Sequence, residues 1–362
     1  MNIALLCNSL GWGGLEINLC KLAVWLQETG NNVLLICPAN SRVDNGCKEL
    51  GITAQHLHTR FKYADATAAV RLKTILKKHQ SKALIIGCSK DIHFSILAKL
   101  LPGYRFKAMY LDSMAIGVNK KDLIHTFIYN RLDKWITPLN SLKETILKRT
   151  RIKEDKVIVI TNSIELDRFQ NINETKESIR ADLNIPKDVF LIGLIGRFEP
   201  GKGQHLLIEA LRILKEKGIE VHALLAGEIT HYTPDILKNV KDYGLEQQVH
   251  LKGFIKEVQY LYKALDLYAM ASCAETFGMV TIEAMAAGIP IIGAKAGGTA
   301  SLIQENSTGL FFQNENVEDL ADKIVTLKEN PELAKKLAAA AQAYVKENNS
   351  HKVMCERIIS LI

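Results

Sequence analysis

The chain has 362 residues, more than one hydrophobic core usually organises, so two domains of about 150 to 200 residues each are expected. Hydrophobic residues at 48% and charged residues at 23% sit near globular averages, and no low-complexity tract or repeat is present, which excludes disordered and solenoid architectures. The formal charge of +7 divides unevenly: residues 1–165 carry 24 Lys+Arg against 13 Asp+Glu, a net +11, while residues 166–362 carry 22 against 26, a net −4.

Short β-branched runs alternate with helical stretches from the first residue onward, the pattern of parallel sheets covered by helices on both faces, so the fold class is α/β. In the first half, strands are expected at 2–7, 32–37, 83–87, 106–110, 134–137 and 157–160. Between the first two, Leu19, Leu22, Ala23 and Leu26 recur at i, i+3, i+4, i+7 and the helix stops at Gly30, a Rossmann-like opening unit. Around Asn162 to Glu177 the rhythm gives way to a polar linker, followed by a helix that Pro186 closes off. Strands resume at 189–195, 221–226, 249–251, 267–270, 289–292 and 309–312, and a charged terminal helix runs from about Pro331 to the end. The domains are therefore drawn as 1–163 and 164–345, with the last helix, about 346–362, expected to return to the first domain. Two Rossmann-like, doubly wound halves facing across a cleft are the expected architecture.

Composition also bears on location. The opening MNIALLCNSLGWGG lacks a basic leader region and no apolar stretch approaches the roughly 18 residues of a membrane span, so a cytoplasmic chain is expected. Seven scattered cysteines without a CxxC spacing suggest neither a disulfide framework nor a zinc cage. The basic surplus of the first half is either a solvated surface or a surface that rests on anionic lipid, at about 1 kcal/mol per basic residue. Its candidates are Arg60 and Lys62, then Arg71, Lys73, Lys77 and Lys78 on one helix, with Lys73 and Lys77 on a shared face, then Lys120 and Lys121. Nucleic acid is not an expected partner, because no nucleic-acid motif accompanies the charge.

Three segments carry chemistry. NSLGWGGLE places Gly11, Gly13 and Gly14 between the first strand and first helix, where amides and the helix dipole favour an anion, although Glu16 stands where a full GxGxxG has its third glycine. GLIGRFEPGKG at 193–203 holds Arg197 and Lys202 on a glycine-shaped turn after a strand, a pair able to grip a diphosphate. Gly196 to Lys202 also spells the start of a phosphate-binding P-loop, but Gly203 occupies the place of the magnesium-binding Ser or Thr. SCAETFGMVTIEAMAAGIPIIGAKAGG at 272–298 places Glu275 just before a turn and Glu283 in the middle of an apolar helix. A carboxylate there needs a partner, either a neighbouring cation or the vicinal hydroxyls of a ribose. Glu275 would lie further along the same ligand, with the Gly278 and Met279 amides facing phosphate.

In these motifs the chain resembles the retaining glycosyltransferase family 4, whose two Rossmann-like domains form the GT-B fold. Its E-x7-E motif matches Glu275 and Glu283, and its Arg/Lys pair matches Arg197 and Lys202. Gly13, Gly14 and Glu16 match its opening, Asn162, Ser163, Glu165 and Phe169 resemble its hinge, and AGE stands at 226–228. The resemblance implies transfer of a sugar from a nucleotide-sugar co-substrate to an acceptor hydroxyl with retention, without metal or further cofactor, in cell-surface polysaccharide or lipopolysaccharide assembly. It implies Arg197 and Lys202 on the pyrophosphate, Glu283 on the ribose and Glu275 on the sugar. Phe277, Met279 and Val280 with Gly13, Gly14 and Gly278 would line the donor, and backbone from Val249 to Phe254 would read the base. Where relatives place an acceptor-domain His, this chain reads MYLDSM, leaving Asp112 for the polar role, with His93 and His125 as substitutes. The implied acceptor is a glycan or a lipid-linked sugar, met at the inner face of the cell membrane. A nucleotide-sugar epimerase or hydrolase on the same scaffold and a non-catalytic nucleotide-sugar-binding module are the alternatives. A dinucleotide oxidoreductase would need the complete GxGxxG.

Overall fold

The computed structural model describes residues 1–61, 65–114, 116–273 and 275–362, so Lys62 lies outside the described residues. The chain divides into two compact units, Met1–Thr161 with His351–Ile362, and Asn162–Ser350. The first unit is built on β1 (Asn2–Leu6), β2 (Asn32–Cys37), β3 (Thr53–His56), β4 (Ala83–Ile86), β5 (Lys107–Leu111), β6 (Lys134–Thr137) and β7 (Val157–Val159). All seven run parallel in the order β3-β2-β1-β4-β5-β6-β7. Side chains alternate across a strand, and this sheet is covered on both faces. Ile3, Leu5 and Cys7 enter one buried cluster with the helix Gly14–Glu28, whereas Ala4 and Leu6 enter another with the helices Ala66–His79 and Ile92–Leu100. That is why β1 reads as a continuous apolar run rather than an alternating one.

The second unit contains β8 (Leu191–Ile195), β9 (His222–Ala226), β10 (Val249–Lys252), β11 (Leu267–Met270), β12 (Ile291–Ala294) and β13 (Leu310–Phe312), all parallel, in the order β10-β9-β8-β11-β12-β13. Ile192 and Leu194 pack beneath the helices Gln204–Glu216 and Val317–Glu329. On the opposite face Gly193 admits Leu265, whose Cδ1 would lie 2.1 Å from any Cβ placed there.

Four departures from the sequence expectations have physical causes. β3 was not expected: TAQH has no apolar run, and its strand character comes from its register with β2, Leu34 to Thr53 through Cys37 to His56. β12 begins at Ile291 rather than at 289, since Pro290 has no N–H to give a ladder and only its carbonyl is used, accepting from Tyr268 at 2.9 Å. The terminal helix is two helices, Pro331–Asn348 and His351–Ile359. At the break Asn349 is buried, its carbonyl accepting from Ile164 N–H at 2.9 Å and its Nδ2 donating to the Asn162 carbonyl at 2.8 Å. Beyond it Met354, Cys355 and Ile358 join the core of the first unit. Finally, Lys73 is not on a basic surface with Lys77: it is buried, and its ammonium donates to the Ala98 carbonyl at 3.2 Å and to that of Leu101.

Candidate active site

In an open parallel sheet, the loops that follow two adjacent strands wound in opposite directions part at the carboxyl end and leave a ligand crevice. The order β9-β8-β11-β12 puts that switch point of the second unit between β8 and β11. The loop after β8 carries Arg197 and Lys202, and the segment after β11 carries Glu275 and leads into the helix Met279–Ala286, which bears Glu283.

The loop after β8 is shaped by close backbone approach. Gly203, at φ +83°, leads into the helix Gln204–Glu216, and a Cβ on it would stand 2.3 Å from the Ala271 carbonyl oxygen after β11. Gly227 of the AGE segment is likewise pressed on the chain, where a Cβ would meet the Gly196 oxygen at 2.0 Å. This brings Glu228 to Arg197, whose Nε donates to Glu228 Oε2 at 2.9 Å while Nη1 donates to Glu199 Oε1 at 3.0 Å. Lys202 Nζ lies 2.6 Å from Glu275 Oε1, an ion pair joining the two loops. Each sequence-expected cation is therefore held by carboxylates of the protein itself.

Glu283 is half-buried, and the Tyr262 hydroxyl donates to its Oε2 at 2.9 Å. Burial, and then the adjacent Glu283 carboxylate, push the Tyr262 phenol well above its ordinary value, so it remains a donor. Its ring lies 5.4 Å from that of Tyr268, whose hydroxyl meets the Ile195 backbone at the end of β8. Gly278, at φ +92°, begins the helix Met279–Ala286, and the hydroxyls of Ser272, Thr281 and Thr299 are buried there without a hydrogen-bond partner. Gly297 and Gly298 clasp the segment before that helix: Gly298 N–H donates to the Glu275 carbonyl at 2.7 Å, and a Cβ on Gly298 would stand 2.5 Å from the Phe277 oxygen. Phe277 is itself buried, Met279 and Val280 are half-buried, and Phe254 is 76% exposed in the loop after β10.

Sequence reasoning missed Tyr262, Glu199 and the roles of Glu228, Gly297 and Gly298. Of these, the paired glycines at the end of the 272–298 run carried a legible signal, because two adjacent glycines mark close backbone approach.

Gly13, Gly14 and Asp112 belong to the first unit. The anion-favouring amide of the first turn already has a partner, since Gly13 N–H donates to Glu16 Oε2 at 2.9 Å and Ser9 Oγ donates to Oε1 at 2.6 Å. Asp112 follows β5 at the base of a cavity of about 380 Å³ lined also by Leu15, Tyr110, Met114, Lys120 and Trp135. Its Oδ1 accepts from Tyr110 Oη and Met114 N–H, both at 3.3 Å, while Oδ2 is buried without a hydrogen-bond partner. Burial pushes its carboxyl up to about 6. His93 and His125 pack edge to face at 5.6 Å, and His125 pairs with Asp122 at 2.6 Å. Among the described residues no group of three or more His, Cys, Asp or Glu is placed to hold a metal ion.

Residues 175–344 match the family described as Glycosyl transferases group 1. Among curated proteins, the phosphatidylinositol N-acetylglucosaminyltransferase GPI3 subunit of Saccharomyces cerevisiae is 26% identical over 340 residues, covering 88% of this chain and 73% of that protein. In several further relatives the match spans about half of the relative's length. A solved glycosyltransferase from Rickettsia africae superposes with a TM-score of 0.88 at 24% identity, covering 99% of this chain and 97% of that one. HepE of Anabaena, solved with UDP, gives 0.83 at 21% identity over 99% of both chains, and its complex with UDP-glucose gives 0.77 over 99% and 98%. With two parallel-sheet, Rossmann-like units, the chain has the GT-B fold of these glycosyltransferases, and its second unit carries the Glycosyl transferases group 1 match.

Proposed function

We propose that this glycosyltransferase takes its sugar from a nucleoside diphosphate sugar held at the β8/β11 switch point and passes it, with retention, to a hydroxyl of a glycan or lipid-linked acceptor. The observation that carries the reading is the ion pair of Lys202 with Glu275 at 2.6 Å, because it joins the diphosphate-binding loop to the sugar-binding segment at one ligand. Arg197 and Lys202 meet the pyrophosphate, assisted by the amides of Gly278 and Met279 at the helix N-terminus. Glu283, held by Tyr262, accepts from the ribose hydroxyls. Glu275 accepts from the sugar, Phe254 offers an exposed ring to the base, and the buried Ser272, Thr281 and Thr299 hydroxyls have hydrogen bonds to give.

The acceptor hydroxyl attacks on the face the nucleotide leaves, and the departing phosphate oxygen takes its proton. The C–O bond to the nucleotide breaks as the bond to the acceptor forms, so no protein nucleophile enters. Charge growing on the diphosphate is met by two fixed cations and a helix N-terminus, a preorganised arrangement that supplies positive charge without a metal ion. In the first unit, Asp112 lines the cavity that receives the acceptor. The UDP and UDP-glucose complexes of HepE support a uridine donor. Assembly of cell-surface polysaccharide or lipopolysaccharide at the cytoplasmic side of the membrane is the setting we propose.

The test is a thermal-shift panel of UDP-, GDP- and ADP-sugars with chelator present. A true donor at 100 times its dissociation constant adds about 2.7 kcal/mol of stability. No shift with any of them, or a shift that needs divalent metal, overturns the metal-free donor site. Release of nucleotide at the full rate without acceptor would favour a hydrolase.

A further inference from the structure

The exposed apolar side chains of this protein are concentrated in one unit. Among the described residues, thirteen of the sixteen exposed large hydrophobics belong to the first unit. Five of these fall close together in sequence: Met114 at 68%, Val118 at 63%, Leu123 at 81%, Ile124 at 67% and Phe127 at 48% exposure. The helix Leu123–Tyr129, LIHTFIY, is apolar nearly all round. Tyr129 turns inward, its ring 5.0 Å from that of Trp135, while Leu123, Ile124 and Phe127 at i, i+1 and i+4 face solvent. Large apolar side chains exposed this densely within one short stretch of chain mark an interaction site.

Its border is basic. Lys120 N–H donates to the Arg149 carbonyl at 2.8 Å, and Arg149 Nη1 donates to the Gly117 carbonyl at 2.9 Å, so Lys120 and Lys121 adjoin the run Lys148, Arg149 and Arg151. Arg131 stacks over Phe127 with its guanidinium carbon 3.3 Å from the ring centroid. Asp122 pairs with His125 at 2.6 Å and Glu154 with Lys143 at 3.4 Å. A second copy of the chain would set these cations against their own kind, which opposes self-association. A surface of apolar prongs rimmed by lysine and arginine is complementary to a bilayer with anionic headgroups. The same face shares Met114, Val118 and Lys120 with the cavity at whose base Asp112 lies.

We propose that Met114 and residues 116–127 form the face by which the protein rests on an anionic bilayer. Leu123, Ile124 and Phe127 enter the interfacial layer, Lys120, Lys121 and Arg149 hold the headgroups, and the Asp112 cavity opens to an acceptor carried by lipid. The bilayer contact stands on the surface itself, whereas the acceptor clause rests on the proposed function. It places the attachment on this face rather than on the basic helix Ala66–His79, where Lys73 is buried.

Flotation of the full chain with phosphatidylcholine vesicles, with and without phosphatidylglycerol, tests it. The wild type is expected to float only with phosphatidylglycerol at about 0.1 M salt and to detach partially near 1 M, where the screening length falls from about 10 Å to about 3 Å. Leu123→Ser/Ile124→Ser/Phe127→Ser should weaken partition at least about tenfold with an unchanged melting temperature. Lys120→Gln/Lys121→Gln should erase the preference for anionic lipid, and Arg71→Gln/Lys77→Gln/Lys78→Gln should stay within about twofold of wild type. The proposal is overturned if the apolar variant floats like wild type, if neutral and anionic vesicles bind equally, or if light scattering shows that the apolar substitutions dissolve an oligomer or an acidic protein partner instead. Donor thermal shifts measured on the same samples keep the readings apart: donor binding without flotation defeats this proposal alone, and flotation without donor binding defeats the proposed function alone.

Discussion

Gly298→Ala tests whether the segment before the helix Met279–Ala286 is held in place by backbone contact. A Cβ at 298 would lie 2.5 Å from the Phe277 oxygen and 2.7 Å from its carbonyl carbon and Cα, all backbone atoms with no rotamer to change. Comfortable contact is about 3.5 Å, so one of the two segments must yield by roughly 1 Å. The Gly298 N–H bond to the Glu275 carbonyl, 2.7 Å long, resists a pure separation, and the shift is passed to Glu275 and Gly278. Overpacking of this kind costs about 1–3 kcal/mol of stability, while a displacement of about 1 Å at a site of this type costs on the order of 100-fold in rate. The variant should therefore fold, melt a few degrees lower, and lose about 10- to 100-fold in kcat/KM. Donor calorimetry alongside steady-state kinetics separates the two effects. A variant with kcat/KM within about twofold of wild type would show that the clasp does not position the site.

Glu283→Gln should keep the fold and lose about two orders of magnitude in activity, as for removal of one preorganised polar contact; near-normal turnover in a folded variant would sink the ribose role. Arg197→Ala and Lys202→Ala should each weaken nucleoside diphosphate binding in a titration, the double change exceeding either, and binding indifferent to both would show a merely solvated turn. Asp112, pushed up to about 6 by burial, binds a proton more readily in the folded chain than in the unfolded one, so the stability that its protonated form contributes is fully present below about pH 4 and is lost as pH rises through 6. Asp112→Asn should thus melt higher than wild type at pH 7 and close to it at pH 4, and parallel pH profiles for the two proteins would refute the assignment.

Strands buried on both faces were legible because each is a dense apolar run, as in β1 and β4, whose side chains fill the two clusters flanking the first sheet. β3 was not, since an edge strand with exposed Thr53, Gln55 and His56 needs only its neighbour's hydrogen bonds and shows no pattern of its own. The interruption at Asn349 escaped for a related reason: the surrounding sequence favours helix, and the break is imposed by contacts with Asn162 and Ile164, nearly two hundred residues away. Lys73 is different, for its position was readable. It adjoins Ala69, Leu72 and Leu76 on the helix's apolar stripe, and a long stem that carries its charge to the carbonyls at the end of a neighbouring helix fits such a stripe.

The same distinction governs the site. Arg197, Lys202, Glu275 and Glu283 stood out because each is a charge in a setting of glycine or apolar residues, where local sequence alone makes a charge costly. Their partners did not stand out. Tyr262 precedes Glu283 by 21 residues on another helix, and Glu228 is brought to Arg197 only because Gly227 lets two backbones close to a separation no side chain would permit. What unites the four charges is strand order: β8 and β11 are separated in sequence by two complete strand-helix units, yet they pair directly, Leu267 with Ile192 and Tyr268 with Gly193. The pairing of β11 beside β8 sets the loop after one strand against the loop after the other, and the contact between Lys202 and Glu275, 73 residues apart, follows from that adjacency. A motif can name which residues are chemically unusual, but their convergence is a property of the sheet, so a substitution that shifted β11 along β8 would dismantle the site while leaving every motif residue in the sequence.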